Sequence, residues 1–388
     1  MVAISAALQA ALLTTRPYVY TTDLRRNGLH SWKGPPASTF LFTDLAFGSQ
    51  SFSVYVDTSS AETWLASSSF ICDIDGKTHP QADCNIGPLY TLDEDFARIP
   101  GRIFRQRYAP MIASGFPGTV PVTIAGLTTT TAASVAENLH NPGLTRFASG
   151  LVGLGFSPMT GDWTADSIAT NFTHIPTKSL LTSLFEQHKI SPQFAVSISR
   201  PSGKEVLSYG GVLTIGGLPH LEDPKVNATD DFASASFETY DSSELNETTH
   251  GLPLLADYVI SVEGIYYGAL GNMSVNSKPA QYLLDCGSPG IKIPIAHFNN
   301  WLAMFNPPLQ GGAENEVSCS APVPEFKFKI GGKLFPINPA DLVQKWTDGR
   351  CYQTLSGSDG SGAPPYLLGD LFYRNVVAVH DWEKLEMR

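Results

Sequence analysis

Two stretches decide how the chain is read: Val54-Tyr55-Val56-Asp57-Thr58-Ser59-Ser60 and Leu283-Leu284-Asp285-Cys286-Gly287-Ser288. Each is an apolar run ending in an aspartate followed by small residues, and the two aspartates stand 228 positions apart. A second apolar pair closed by glycine follows each of them. Leu151-Val152-Gly153 comes 96 positions after Asp57, and Leu367-Leu368-Gly369 comes 84 after Asp285. The chain is built twice. One Asp at a buried strand end is ordinarily a turn or cap residue whose carboxylate is satisfied locally. Two in matching contexts point to a pseudo-twofold arrangement that brings both carboxyl groups into one cleft.

Composition fits such a body. The 388 residues exceed one ordinary core and suggest two domains or lobes. Charged residues are 16% and hydrophobic ones 43%, so a buried core has ample material. Thirty-four Gly and 28 Pro supply the turns that join many short strands, which predicts an all-β fold. The net charge of -11, with no basic run, argues against a nucleic-acid partner. No apolar stretch is long enough for a membrane-spanning helix. Residues 2–13 (VAISAALQAALL) read as a short signal-like segment without a basic start. Sequons at Asn171, Asn227, Asn246 and Asn272 add to an expectation of secretion and glycosylation.

Five cysteines stand at 72, 84, 286, 319 and 351. The short-range pairs are Cys72 with Cys84 and Cys319 with Cys351, which leaves Cys286 unpaired. No His or Cys spacing completes a metal site, and neither G-x-S-x-G nor G-x-G-x-x-G occurs, so no metal or cofactor is expected.

The doubled Asp motif resembles that of the pepsin-like aspartic proteases, whose two lobes carry D-T-G-S and D-T-G-S/T, each followed by a hydrophobic-hydrophobic-Gly segment. The likeness runs over residues 39–382. It includes Trp64 in Glu62-Thr63-Trp64-Leu65, the run Ser149-Gly150-Leu-Val-Gly-Leu-Gly-Phe156, and Tyr366-Leu-Leu-Gly-Asp-Leu-Phe372 with Val379-His-Asp-Trp382. The cysteine pairs also fall in that family's usual places. The resemblance implies a bilobal fold of two β-barrel-like lobes with a few short helices. Residues 1–24 would form an N-terminal segment, 25–217 a lobe with Asp57 and a flap, and 218–388 a lobe with Asp285.

It further implies an aspartic endopeptidase, with a water activated between Asp57 and Asp285. Two neighbouring carboxyl groups cannot both ionise easily, so one serves as acid and the other as base. Tyr108, Gly287 and Ser288 are the expected substrate contacts, and Thr58, Ser59, Ser60, Trp64 and Cys286 the supporting residues. A polypeptide is the expected partner, and the protein is expected to be a secreted monomer, with a vacuolar or cell-surface location as the alternative.

Three departures stand against this pattern. Ser59 replaces a glycine, and its Cβ is expected to crowd the approach of its own N–H to the first carboxylate. Cys286 replaces a threonine and is a weak donor. In Tyr108-Ala-Pro-Met-Ile-Ala-Ser-Gly115 two flap glycines become Ala109 and Met111, and Pro110 predicts a stiffer turn. A weakened or inactive pepsin-fold binding or inhibitor protein is the second reading. Elsewhere, residues 177–190 read as an amphipathic helix, Arg102, Arg105 and Arg107 as a solvated strand face, and residues 223–250 and 348–365 as surface loops.

Overall fold

The computed structural model describes residues 18–27, 40–108, 111–142, 147–164, 173–200, 207–226, 228–239, 255, 257–269, 272–276, 278–306, 308–309, 316–345, 349–361 and 365–388. The signal-like segment 2–13, Asn171, Asn227, Asn246, Ala109 and Pro110 lie outside these residues, and of Asn272 only the backbone is described.

Strands dominate, and their sequences show why. In Glu325–Ile330 the residues Phe326, Phe328 and Ile330 are buried while Glu325, Lys327 and Lys329 lie nearer solvent, the period-two pattern of a half-covered sheet. Ile112–Ile124 and Leu127–His140 form a long antiparallel hairpin. Its two-residue turn, Ala125 at φ 52° and Gly126 at φ 80°, has the double positive φ that matches the twist of paired strands.

One large sheet spans both halves of the chain. Tyr20–Asn27 pairs with Leu207–Ile215, which pairs with Gln193–Ile198. Gln193–Ile198 then pairs with Val377–Asp381 from the far end of the sequence. The second half adds a five-stranded sheet containing Ala280–Leu284, Tyr366–Leu368 and Ile291–Pro294, besides sheets of four and three strands. Beneath the shared sheet Arg374 is paired with Asp370 through Nε (3.1 Å) and Nη2 (2.5 Å). Arg200 joins Asp341 at 2.8 Å beside them. The buried ions Arg374, Asp370 and Asp341 hold position because each charge has its partner, while Arg200 reaches in from the surface.

The helix expected at 177–190 spans Leu180–His188, capped by Ser179 and ended by Lys189 at φ 51°. It buries Leu180, Leu181, Leu184 and Phe185 on the core, while His188 stays exposed and bonds the Thr128 carbonyl. The loop reading of 348–365 is corrected. Cys351–Gln353 and Leu355–Ser358 are strands, the second running parallel to Ile291–Pro294. A Gly/Ser-rich strand this short takes its conformation from a distant partner and not from its own residues. Disulfides join Cys72 to Cys84 and Cys319 to Cys351, and Cys286 is a free, buried thiol. Among the described residues no helix is long and apolar enough to cross a membrane.

Candidate active site

Each aspartate sits where a strand ends against a parallel neighbour. Gln50–Asp57 pairs with Gly150–Gly153 so that Gly153 lies opposite Asp57, and Leu154 N donates to the Asp57 carbonyl at 2.8 Å. In the second half Ala280–Leu284 runs parallel to Tyr366–Leu368, and Asp285 N donates to the Leu368 carbonyl at 3.1 Å. The glycines after each apolar pair are steric necessities. A Cβ on Gly153 would lie 2.6 Å from the Ala61 backbone, and one on Gly369 would lie 2.3 Å from the Ser288 and Gly290 carbonyl oxygens.

Both aspartates are 5% exposed. Their inner oxygens converge on Gly287, where a Cβ would stand 2.7 Å from Asp57 Oδ1 and 3.1 Å from Asp285 Oδ1. The donor sets are unequal. Asp57 Oδ1 accepts from Ser59 N and from Ser59 Oγ, both at 2.8 Å, and Oδ2 accepts from Ser60 Oγ at 2.7 Å. Asp285 Oδ1 accepts from Gly287 N at 2.8 Å, and the Ser288 side chain also bonds its carboxyl. Burial, followed by the Asp57 charge, pushes Asp285 up to about 8. Asp57 thus has three donors on its carboxyl against two on Asp285, which favours the charge on Asp57.

The crowding expected of Ser59 does not occur. Its N–H keeps the carboxylate bond, and its hydroxyl turns back to add a second bond to the same oxygen. Below the pair, Thr58 Oγ1 donates to the Leu284 carbonyl at 3.3 Å and accepts from Cys286 N at 2.9 Å. The Cys286 thiol faces the Val56 carbonyl at 3.7 Å, a weak bond where a threonine would make a stronger one. Burial holds that thiol well above its ordinary range, so it is an inert packing group.

Tyr108 stands at the base of the hairpin expected to be the flap, with its N–H donating to the Met111 carbonyl at 2.7 Å. Its hydroxyl accepts from Trp64 Nε1 at 2.9 Å, and burial raises its pKa well above the usual phenol range. Arg102 is half-buried, while Arg105 and Arg107 are exposed on the strand that leads to it.

Two features escaped the sequence reading. Tyr373 and His380 are both 0% exposed, and the Tyr373 hydroxyl shares a hydrogen bond with His380 Nε2 at 3.3 Å. Thr58, Cys286 and Asp285 act on that hydroxyl, which places the pair directly under the aspartates. Both residues lie within or beside the quoted motifs, Tyr373 at the end of the short helix Asp370–Tyr373 and His380 in the strand Val377–Asp381, where a histidine among apolar residues was the available signal. The second feature is the acid Glu62, quoted only as a flank of Trp64. It is 2% exposed and lies close to Asp162, which is fully buried.

A doubled fold with two facing aspartates defines the pepsin-like aspartic proteases as a class. The chain belongs to the eukaryotic aspartyl protease family, whose family model matches residues 42–220 and 226–388. It is 29% identical over 363 residues to a probable aspartic-type endopeptidase of Aspergillus fumigatus, covering 89% of this chain and 77% of that one. Renin-2 of Mus musculus is 24% identical over 341 residues, covering 86% of this chain and 74% of that one. The crystal structure of an aspartic proteinase from Irpex lacteus shares the fold, with a TM-score of 0.70 at 16% identity, over 95% of this chain and 96% of that one.

Proposed function

We propose that the protein is an aspartic endopeptidase that cuts extended polypeptide at acid pH, with Asp57 as base and Asp285 as acid. In the first step Asp57 takes a proton from a water, whose oxygen adds to the scissile carbonyl carbon while Asp285 gives its proton to the carbonyl oxygen. In the second, Asp57 gives that proton to the leaving nitrogen, the C–N bond breaks, and Asp285 takes a proton from a hydroxyl of the diol as it collapses to the carboxylic acid, so the pair again holds one proton. Tyr108, Gly287 and Ser288 line the substrate side, and Thr58, Ser60 and Trp64 hold the reacting groups in place.

The observation that supports this best is the convergence of both inner carboxyl oxygens on Gly287 with unequal donor sets, which separates an acid from a base. The runner-up, a binding or inhibitory protein of the same fold, draws on the weak Cys286 bond. The intact link from Cys286 N to Thr58 favours catalysis. Incubation with a denatured protein at about pH 3 to 5, where such a pair holds one proton, tests the reading. Cleavage that vanishes in Asp57→Asn and in Asp285→Asn is expected. No cleavage by the wild type, or cleavage undiminished in either variant, rules the reading out.

The lobes are proposed to divide at residues 217 and 218 and the protein to act as a monomer; of the N-terminal segment 1–24, residues 20–24 belong to the strand Tyr20–Asn27 with Leu24 in the core, so a signal-peptide remnant is proposed only before Tyr20. Two disulfides and the four sequons support secretion and glycosylation.

A further inference from the structure

Glu62 lies five positions after Asp57 and two after Ser60. Gly161 N donates to Glu62 Oε2 at 3.0 Å. The same glycine's carbonyl accepts from Arg105 N at 2.8 Å. The next residues, Asp162–Thr164, pair antiparallel with Arg102–Arg107, and Trp163 Nε1 donates to the Arg105 carbonyl at 3.1 Å. Arg102–Arg107 runs directly into Tyr108. One carboxyl therefore joins the catalytic turn to the strand that underlies the flap.

Its neighbour makes the joint sensitive. Asp162 is 0% exposed; Oδ2 accepts from Thr177 Oγ1 at 2.8 Å, and Oδ1 has no hydrogen-bond partner. Two buried acids thus sit together with bonds from neutral donors. The charged and titratable groups that face them are few. Arg102 on the flap strand acts on Asp162, and Tyr108 and, beyond it, Asp57 lie on the side of Glu62. Arg105 and Arg107 on the same strand are exposed. His174 contacts Trp163 edge-on and bonds the Thr160 carbonyl through Nε2. Ser134, from the neighbouring hairpin strand, cannot titrate in this range. Burial raises both carboxyls, Asp162 to about 6 and Glu62 well above its usual range.

Resting on the endopeptidase reading, we propose that Glu62 is a positioning residue. With Asp162 it forms a proton-dependent tie between the catalytic turn and the base of the flap, closed while at least one of the two acids is protonated and released when both are ionised. Two like charges in a buried site repel strongly, and the direction in which they separate carries Asp162–Thr164, and the flap strand paired to it, away from the turn. The flap strand then loses its seat on the catalytic turn. The alkaline limit of activity therefore carries a contribution from this tie besides that of the reacting pair.

Hydrogen exchange of the full chain, followed by mass spectrometry between pH 4 and pH 8 and corrected for intrinsic rates, tests the tie. Peptides covering residues 102–108 and 159–164 should lose protection as pH rises, by up to ~tenfold per pH unit while one linked proton is released. Glu62→Gln keeps an acceptor for Gly161 N but cannot ionise, so its protection should stay level. In the same variant the alkaline limb of kcat/KM should move to higher pH, with the change carried by KM. Level protection in the wild type, or an equal loss in Glu62→Gln, overturns the proposal. If Glu62→Gln does not fold, Asp162→Asn should flatten the exchange in the same way; if neither folds, the wild-type series decides. Exchange needs no proteolysis, so an inactive protein would sink the endopeptidase reading and leave the tie to be judged separately.

Discussion

The Tyr373 hydroxyl and His380 Nε2 lie 3.3 Å apart, in a layer with no solvent exposure directly under the two aspartates. His380 stacks on Phe194 with ring centroids 4.1 Å apart, and burial lowers its pKa to about 3, so the imidazole is neutral. Tyr373→Phe strands His380 Nε2 without that partner and is expected to cost about 1–3 kcal/mol in urea unfolding. The double change Tyr373→Phe/His380→Phe removes both polar groups and should cost less than Tyr373→Phe alone. Equal costs would mean that the bond contributes nothing.

Stability should be greatest near pH 4 and fall on both sides. Asp162 and Asp285 are raised from 3.8 to about 6 and about 8, so their share is fully present below 3.8 and is lost as pH rises through those values. Glu62 acts in the same direction. His380 is lowered from 6.5 to about 3, so its share is lost as pH falls from 6.5 through 3. His174 and His297 shift the same way as His380 but are only partly buried, so between pH 4 and 6 the three deeply buried carboxyls outweigh the histidines, and each linked proton is worth about 1.4 kcal/mol per pH unit. Exposed carboxylates such as Asp359 shift the other way but are screened by solvent. Urea titrations at intervals from pH 3 to 8 measure the curve; a rise between pH 4 and 7 would refute it.

Ser59→Ala removes the hydroxyl bond to Asp57 Oδ1 and keeps the N–H bond. The ionised form of the pair loses one of its donors, so the acid limb of the pH–rate profile should move to higher pH. An unmoved limb would show that the Ser59 hydroxyl is a bystander.

Cys286→Thr exchanges a weak donor for a strong one opposite the Val56 carbonyl. A gain of about 0.5–1.5 kcal/mol is expected, with activity retained. Because the wild-type thiol is buried and protonated, a mercurial should leave activity unchanged.

The doubled aspartate motif was legible because its glycines answer to backbone geometry, and a clash at Gly153 or Gly369 admits no other residue. The role of Ser59 was not legible, since it depends on which way one hydroxyl turns. Glu62 and Asp162 are separated by 100 positions and meet only through the pairing of Asp162–Thr164 with the flap strand, so no local pattern announces them. The strand Leu355–Ser358 was read as loop because its Gly and Ser residues carry no periodicity, and its partner Ile291–Pro294 is remote in sequence.

The central strand Gln193–Ile198 receives its second neighbour only when Asp381, 188 residues further on, reaches Gln193. While the chain is being synthesised, the first half of the molecule therefore carries a bare edge of backbone donors and acceptors, open to any other extended chain. A fragment ending before that late strand should self-associate through this edge, and fidelity in making the whole protein depends on the final strand arriving before a stranger does.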